Sequence, residues 1–154
     1  MTSIRRCCVF GFVSSVLAEK GRQVYTIGKG VTVSQAVREM NEKGIGALVV
    51  TESGHPIGMF TERDVLRRVV DADKDPAMTR VSSVMTRNIV AIAPTDRVEE
   101  VMALMTERRM RHLPVVEGGQ LIGMISIGDL MRWITLHQED QIRHMTEYIT
   151  GQQT

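Results

Sequence analysis

Two short segments of the sequence each place a hydroxyl residue three positions before an aspartate. Thr61 and Asp64 lie in "GMFTERD", and Ser126 and Asp129 lie in "GMISIGD". An ionised carboxylate only accepts hydrogen bonds, so it suits two neighbouring ribose hydroxyls better than a phosphate. A hydroxyl in front of a helix start lies beside unpaired N–H groups, which favour phosphate. The spacing therefore fits a pair of ribose-phosphate binding turns.

The same residues also fit a purely structural interpretation. Serine and threonine are favoured at helix N-caps, and an aspartate in the first helical turn is stabilised by the N–H groups there. Spacing alone supports both interpretations equally. The glycines that begin the two segments, Gly58 and Gly123, predict a close approach of ligand and backbone at the end of a strand.

The sequence matches itself without gaps at an offset of 65 residues, from Val24 to Val69. Identical pairs include Ile27 with Ile92, Met40 with Met105, Val50 with Val115, Gly58 with Gly123, and Asp64 with Asp129. An internal repeat of this length indicates one structural unit used twice.

Each copy begins with a predicted strand followed by a predicted helix. The segments "VYTIG" (24–28) and "IVAIA" (89–93) are rich in β-branched residues, as is typical of strands. The pairs Thr32/Gln35 and Asp96/Glu99 have capping-box spacing at the starts of the two helices. Gly44 is suited to end the first helix.

A strand, a tight turn and a second strand follow in each copy, and then a second helix. Ser53-Gly54 and Gly118-Gly119 supply the turn chemistry, and helical spacing returns in "ERDVLRRVV" and "GDLMRWITL". A single βαββα unit cannot cover both faces of its small sheet. The sequence therefore predicts a mixed α/β (α+β) fold in which two βαββα repeats pack as a pseudo-two-fold pair, with small mixed sheets and extra helices at both ends. The predicted boundaries are 1–22 for the N-terminal segment and helix, 23–72 for the first repeat, 73–87 for a connector, 88–136 for the second repeat, and 137–154 for the C-terminal helix and tail.

Composition argues against several classes of function. The formal net charge is +1 and aromatic residues make up 4% of the chain, which gives no electrostatic case for binding nucleic acid or a membrane and no base-stacking surface. Adjacent cysteines such as Cys7 and Cys8 rarely form a structural disulfide. The start of the chain imitates a secretory signal, but it suits a helix from Ser15 to Lys20 that stops at Gly21. We expect a cytoplasmic protein.

The sequence resembles a tandem pair of CBS (cystathionine β-synthase) domains, or Bateman module, of the stand-alone bacterial type. The resemblance rests on the two Gly-x-x-[Ser/Thr]-x-x-Asp segments, on "GIGALVV" and "MRHLPVV" before them, and on "VLAEKG" and "YITG" near the ends. It covers 15–136. It implies no reaction and a bound adenine nucleotide (AMP, ADP, ATP or NAD(H), with S-adenosylmethionine less favoured) in the cleft between the repeats. It also implies a homodimer formed through the last helices of each repeat and a possible regulated protein of unknown identity, with neither nucleic acid nor membrane as a partner.

The expected nucleotide-binding residues lie at the strand ends and strand starts of both copies. They are Thr26, Ile45, Gly46, Ala47, Thr61, Arg63, Asp64, Met110, Arg111, His112, Ser126 and Asp129. Because Arg111 and His112 occupy the positions of Gly46 and Ala47, we expect the two sites to differ in their preference for phosphates.

Three other functions compete with nucleotide binding. An enzyme is disfavoured because the sequence has no Walker A loop, HExxH motif or nucleophile elbow. A metal site at His137 and His144 is disfavoured because no further ligand accompanies them. The remaining alternative is a ligand-free module for dimerisation or protein–protein contact, formed by apolar helix faces that include Leu66, Val70 and Trp133.

Overall fold

The structure is a computed structural model that describes residues 11–150, except for the side chains at 141, 144, 145 and 147–150. Cys7, Cys8, the His144 side chain and the tail at 151–154 lie outside this description. The elements are α1 (Val13–Lys20), β1 (Thr26–Gly28), α2 (Val33–Lys43), β2 (Ala47–Glu52), β3 (His55–Thr61), α3 (Glu62–Asp64) followed by a π-helical segment (Val65–Val70), α4 (Val81–Val84), α5 (Val98–Arg108), β4 (His112–Glu117), β5 (Gln120–Ser126) and α6 (Ile127–Thr150).

The chain forms two compact units. One unit contains residues 22–91 and 114–124, and the other contains the described parts of 1–21, 92–113 and 125–154. The mixed α+β class predicted from the sequence is confirmed.

The first unit is built on a three-stranded sheet in the order β1-β2-β3. β1 runs parallel to β2, with Ile27 opposite Val50, and β2 runs antiparallel to β3, with Leu48 opposite Phe60. The turn between β2 and β3 has positive φ angles at Ser53 (50°) and Gly54 (79°), as a two-residue hairpin loop of this kind requires.

Helix α2 covers this sheet and begins and ends as predicted. Thr32 and Gln35 form the capping box, and Gly44 adopts the left-handed conformation at the helix end, with φ of 62°. The buried core joins the sheet, α2, the π-helical segment and α4, and consists of Ile27, Val33, Ala36, Met40, Leu48, Val50, Phe60, Val69, Val81, Val84 and Met85.

The helix after β3 differs from the α-helix that the spacing of "ERDVLRRVV" predicts. After one α-turn, the chain widens into a π-helix: the N–H of Asp71 donates to the carbonyl of Leu66 (3.0 Å), and the N–H of Lys74 donates to that of Val69 (2.9 Å). Each of these bonds spans five residues instead of four, which is the π-helical pattern.

The second unit contains α1, α5, the ends of β4 and β5, and α6. Its buried apolar residues include Val13, Val16, Leu17, Val98, Val101, Met105, Leu113, Ile125, Leu130 and Trp133. Helix α6 runs without interruption from Ile127 to Thr150, so it continues from the repeat into the predicted C-terminal helix.

The strand predicted at 89–93 is wrong: this segment contains a single bridge residue, Ile92, and no strand. The capping box predicted at Asp96 and Glu99 is also wrong, because the N-cap of α5 is Arg97. A turn formed by Ala93 and Asp96 contributes to both differences. The Asp96 carboxylate accepts a hydrogen bond from the N–H of Ala93 at 2.8 Å, and the N–H of Asp96 donates to the carbonyl of Ala93 at 3.1 Å. Asp96 therefore belongs to a turn at the end of this segment, and α5 begins one residue later than predicted.

Gly58 allows the segment after α4 to approach β3. The N–H of Met59 donates to the carbonyl of Thr86 at 2.9 Å, and the N–H of Thr86 donates back at 2.8 Å. A Cβ atom at Gly58 would lie 2.7 Å from the Met85 sulfur and 2.8 Å from the Thr86 carbonyl oxygen. The close neighbours of Gly58 are therefore the Met85 side chain and the Thr86 backbone, whereas the sequence analysis assigned this space to a ligand.

We expect Gly58→Ala to lower the free energy of unfolding by about 1–3 kcal/mol, because the added methyl group overpacks this contact. Urea denaturation followed by circular dichroism measures the change. Gly28→Ala is the matched control, since its nearest neighbour would be 3.9 Å away. Equal effects of the two substitutions would contradict the steric explanation.

Two candidate nucleotide-binding turns

The first turn joins the end of β3 to α3. The N–H of Thr61 donates to Oδ2 of Asp64 at 2.9 Å, and the Thr61 hydroxyl lies 3.2 Å from the same oxygen. Together these residues form a capping box at the helix start. The structural interpretation of this pair therefore holds in the structure.

The second oxygen of Asp64 is also engaged. Oδ1 accepts a hydrogen bond from the Thr86 hydroxyl at 3.2 Å and lies 3.6 Å from Nε of Arg68. Arg68 in turn donates to the carbonyls of Met85 (2.7 Å) and Val84 (3.3 Å). Asp64 is 5% exposed, so a ribose can reach its carboxylate only by displacing one of these partners.

The second turn joins β5 to α6 and repeats the capping box. The N–H of Ser126 donates to Oδ2 of Asp129 at 2.8 Å, and the N–H of Asp129 donates to the Ser126 hydroxyl oxygen at 3.1 Å. The Lys20 ammonium lies 2.5 Å from the same Oδ2. The side chain of Asp129 is 24% exposed, and within the described residues its Oδ1 accepts no hydrogen bond.

The pKa of Asp129 is lower than that of an ordinary aspartate. Burial by itself raises this pKa. Hydrogen bonds from Lys20 and from the backbone and side chain of Ser126 lower it, as does the positive charge of Lys20, and their combined effect exceeds that of burial. Asp129 is therefore an ionised acceptor at neutral pH, and its Oδ1 accepts no hydrogen bond from the part of the chain that the structure describes.

Each turn is held against the strand start of its own copy by an equivalent backbone bond. The N–H of Glu62 donates to the carbonyl of Gly46 at 3.1 Å, and the N–H of Ile127 donates to that of Arg111 at 2.8 Å. The structure thus brings two predicted residues, Gly46 and Arg111, to the predicted turns.

The charges beside these two bonds differ in sign. A Cβ at Gly46 would lie 3.3 Å from the carboxyl carbon of Glu62, so an acidic group occupies the space where a side chain at position 46 would begin. In the second copy, the equivalent positions hold Arg111 and the uncharged Ile127. The first turn is therefore more acidic and the second more basic.

The other predicted residues have varied environments. Ala47 and His112 begin β2 and β4, Ala47 being buried and His112 half-buried. Ile45 and Met110 are half-buried, and Arg63 and Arg111 are exposed. Thr26 lies exposed on β1 opposite Val49, and is not part of either turn.

Four residues at the turns were missed by the sequence analysis as members of the site: Lys20, Glu62, Arg68 and Thr86. Lys20 and Thr86 are distant in sequence from the aspartates that they contact. For Glu62 a signal existed, because the repeat pairs it with Ile127, and a charge present in only one copy marks a position where the copies differ.

The family model of the CBS domain matches the chain twice, at residues 14–71 and 81–136. The chain belongs to the CBS-domain family. The two matches contain the two capping-box turns, one in each. Tandem CBS domains are generally regulatory, nucleotide-sensing or interaction modules. Among helices of the described range, none is both long and apolar enough to cross a membrane.

Three similar proteins illustrate the match. A solved protein with CBS domains from Burkholderia ambifaria MC40-6 is 46% identical, with a TM-score of 0.77, and the match covers 79% of this chain and 92% of that one. The hexameric CBS-CP12 protein from bloom-forming cyanobacteria is 31% identical, with a TM-score of 0.71, over 79% of this chain and 67% of that one. The mitochondrial CBS domain-containing protein CBSX3 of Arabidopsis thaliana is 35% identical over 78% of this chain, which spans 61% of the length of CBSX3.

We expect Asp64→Ala to destabilise the protein more than Asp129→Ala does. Asp64→Ala leaves the Thr61 N–H and the Thr86 hydroxyl without their acceptor in a partly buried place, at a cost of about 3 kcal/mol. Asp129→Ala removes a more exposed cap, at a cost of about 1 kcal/mol. Urea denaturation of both variants measures the difference, and equal losses would contradict the contrast between the turns.

The stability that Asp129 contributes should depend on pH. Its folded-state pKa lies below its unfolded-state value of about 3.9, so this stabilisation is complete above that value and is lost as the pH falls through the folded-state pKa. Melting temperatures of the wild type and Asp129→Asn should therefore differ at pH 6, begin to converge below about pH 4, and meet only below the folded-state pKa. Asp71→Asn, at an exposed position, controls for net charge. A difference that persists at the lowest pH would exclude the carboxylate as its source.

Proposed function

We propose that the chain is a regulatory sensor of adenine nucleotides without catalytic activity, and that its second turn is the main binding site. The ligand class is AMP, ADP, ATP or NAD(H), with S-adenosylmethionine less suited. The observation that carries the proposal is the state of Asp129: an ionised, partly exposed carboxylate whose Oδ1 accepts no hydrogen bond within the described residues.

The chemistry of the second turn fits the two polar parts of a nucleotide. An ionised carboxylate can accept hydrogen bonds from two vicinal ribose hydroxyls. Lys20 and Arg111 provide positive charge for phosphate. A nucleotide bound more tightly by one arrangement of the protein shifts the population towards that arrangement, which is all that a sensor needs.

The first turn has a different role in this proposal. Its carboxylate already has partners on both oxygens, and Glu62 adds negative charge beside Gly46. We propose that Thr61 and Asp64 mainly stabilise the fold and bind a ligand only weakly. Ile45, Ala47, Met110 and His112 stay as candidates for contact with the adenine or the phosphates, since they are half-buried or lie at strand starts.

A homodimer is compatible with this proposal and is favoured by one observation. Apolar side chains are exposed on the π-helical segment, at Leu66 (64%) and Val70 (60%), and on α6, at Met131 (51%). We propose that these faces make contact between copies. Trp133, considered in the sequence analysis as part of such a face, is 9% exposed and stacks with His137 at 3.8 Å, so it packs within its own chain.

The proposed location is the cytoplasm. Part of the apolar run that imitates a secretory signal forms α1, where Val13, Val16 and Leu17 are buried. These residues contribute to the core of the second unit, a role that a removed signal peptide does not have.

The test is calorimetric titration with AMP, ATP, NADH and S-adenosylmethionine. We expect the wild type to bind at least one of the first three, and Asp129→Asn to weaken that binding by about tenfold or more because the ribose anchor loses its charge. Asp71→Asn should bind as the wild type does. Asp64 is unsuitable for this test because we expect its substitution to destabilise the fold.

Absence of heat with all four ligands, supported by unchanged melting temperatures in their presence, would refute nucleotide sensing and leave the ligand-free interaction module as the better explanation. Recovery of the added nucleotide unchanged after incubation, measured by liquid chromatography, is the result expected of a protein that binds without catalysis.

A further inference from the structure

Lys20 reaches the second turn from a helix that precedes the first copy of the motif. It is the last residue of α1, and its ammonium lies 2.5 Å from Oδ2 of Asp129, 109 positions further along the chain. The sequence analysis placed no ligand-binding residue on α1, and the repeat pattern that identified the other site residues does not include Lys20.

The backbone of α1 holds Lys20 in a defined place. The first amides of the helix, at Val13 and Ser14, donate to the carbonyls of Asp96 and Pro94 at 2.9 Å. At the other end, the N–H of Gly21 donates to the carbonyl of Leu17 at 2.8 Å. Because Val13 and Leu17 are also buried, only the flexible side chain of Lys20 can move without disturbing the helix.

The cation at the first turn is bound in a different way. Arg68 approaches Asp64 from the same helical stretch, and its guanidinium also donates to the carbonyls of Val84 and Met85. A planar guanidinium with these three partners is fixed in orientation. An ammonium has three donors on a four-carbon stem, and it can keep contact with a carboxylate while turning towards a second anion.

A ribose anchor and a phosphate in one site repel each other. The carboxylate that accepts the ribose hydroxyls is negative, and so is the phosphate a few ångströms away in the same nucleotide, in surroundings that screen charges less than bulk water does. A cation located between the two anions removes this repulsion. Among the described side chains, Lys20 is the one that forms an ion pair with Asp129.

We propose that Lys20 is the residue that makes the second turn selective for phosphorylated ligands, by contacting both Asp129 and the phosphate of the bound nucleotide. This inference rests on the proposed function, because it assumes that an adenosine compound occupies the turn. Its consequence is specific: Lys20 contributes to the binding of AMP and contributes nothing favourable to the binding of adenosine, which has the same ribose and adenine without the phosphate.

The test compares the affinities of AMP and adenosine in the wild type, Lys20→Met and Lys20→Arg. Affinities are measured by calorimetry, with ligand-observed NMR for weak binding. We expect Lys20→Met to weaken AMP about tenfold, as loss of a charge-assisted contact does, and to leave adenosine unchanged or slightly tighter. Lys20→Arg should restore most of the preference for AMP. Lys29→Met is the matched control, since Lys29 is an exposed lysine paired with Glu52.

Three results would overturn the inference. If Lys20→Met changes AMP and adenosine by the same factor, Lys20 only competes for Asp129 or supports the fold. If Lys29→Met reduces the AMP preference as much as Lys20→Met does, the effect is one of net charge. If the wild type binds neither compound, the role of Lys20 fails, whereas the proposed function fails only if ATP, NADH and S-adenosylmethionine also give no heat. Circular dichroism and melting temperatures confirm that each variant is folded.

Discussion

The hydrogen bond from a strand-end amide to the aspartate three residues later fixes the geometry of each turn. It measures 2.9 Å at Thr61 and 2.8 Å at Ser126. By satisfying an amide that the helix start would leave unpaired, it stops the strand and starts the helix at a defined residue. The next amide can then bond to the carbonyl of Gly46 or Arg111. These aspartates can therefore bind a ligand only through the carboxylate lone pairs that do not already accept hydrogen bonds within the turn.

The two copies keep this frame and differ in what surrounds it. At the first turn, Thr86 and Arg68 complete the shell of the carboxylate, and Glu62 lies against Gly46. At the second, Lys20 supplies a single cation and Arg111 stands at the strand start. Backbone bonds are insensitive to side-chain identity, so a duplicated turn can keep its shape while its charge changes. The residues that the two copies share therefore determine the shape of the turn, and the residues that differ determine its charge.

Much of this arrangement was predictable because it is local. The left-handed turn at Ser53-Gly54, the Thr32/Gln35 capping box and the helix end at Gly44 depend on residues at most four apart, and their chemistry is visible in the sequence. The repeat also placed Thr61 and Ser126 at strand ends correctly. The missed features depend on contacts between distant segments: Thr86 reaches Asp64, and Met85 fills the space beside Gly58. The strand predicted at 89–93 was wrong even though the contact involved is local. The β-branched residues favour a strand, but the carboxylate of Asp96 accepts a hydrogen bond from the amide of Ala93, and the segment ends in a turn.

The contact between Lys20 and Asp129 also has a consequence for the order of folding. The two residues are 109 positions apart, so during synthesis α1 leaves the ribosome long before its partner exists. Contacts of such separation must close a long loop, and they form only when most of the chain is available. The second turn therefore acquires its cation late, after the first turn has already obtained Arg68 from four residues away. While the chain is still being synthesised, the contact of Asp64 with Arg68 can therefore form before the contact of Asp129 with Lys20.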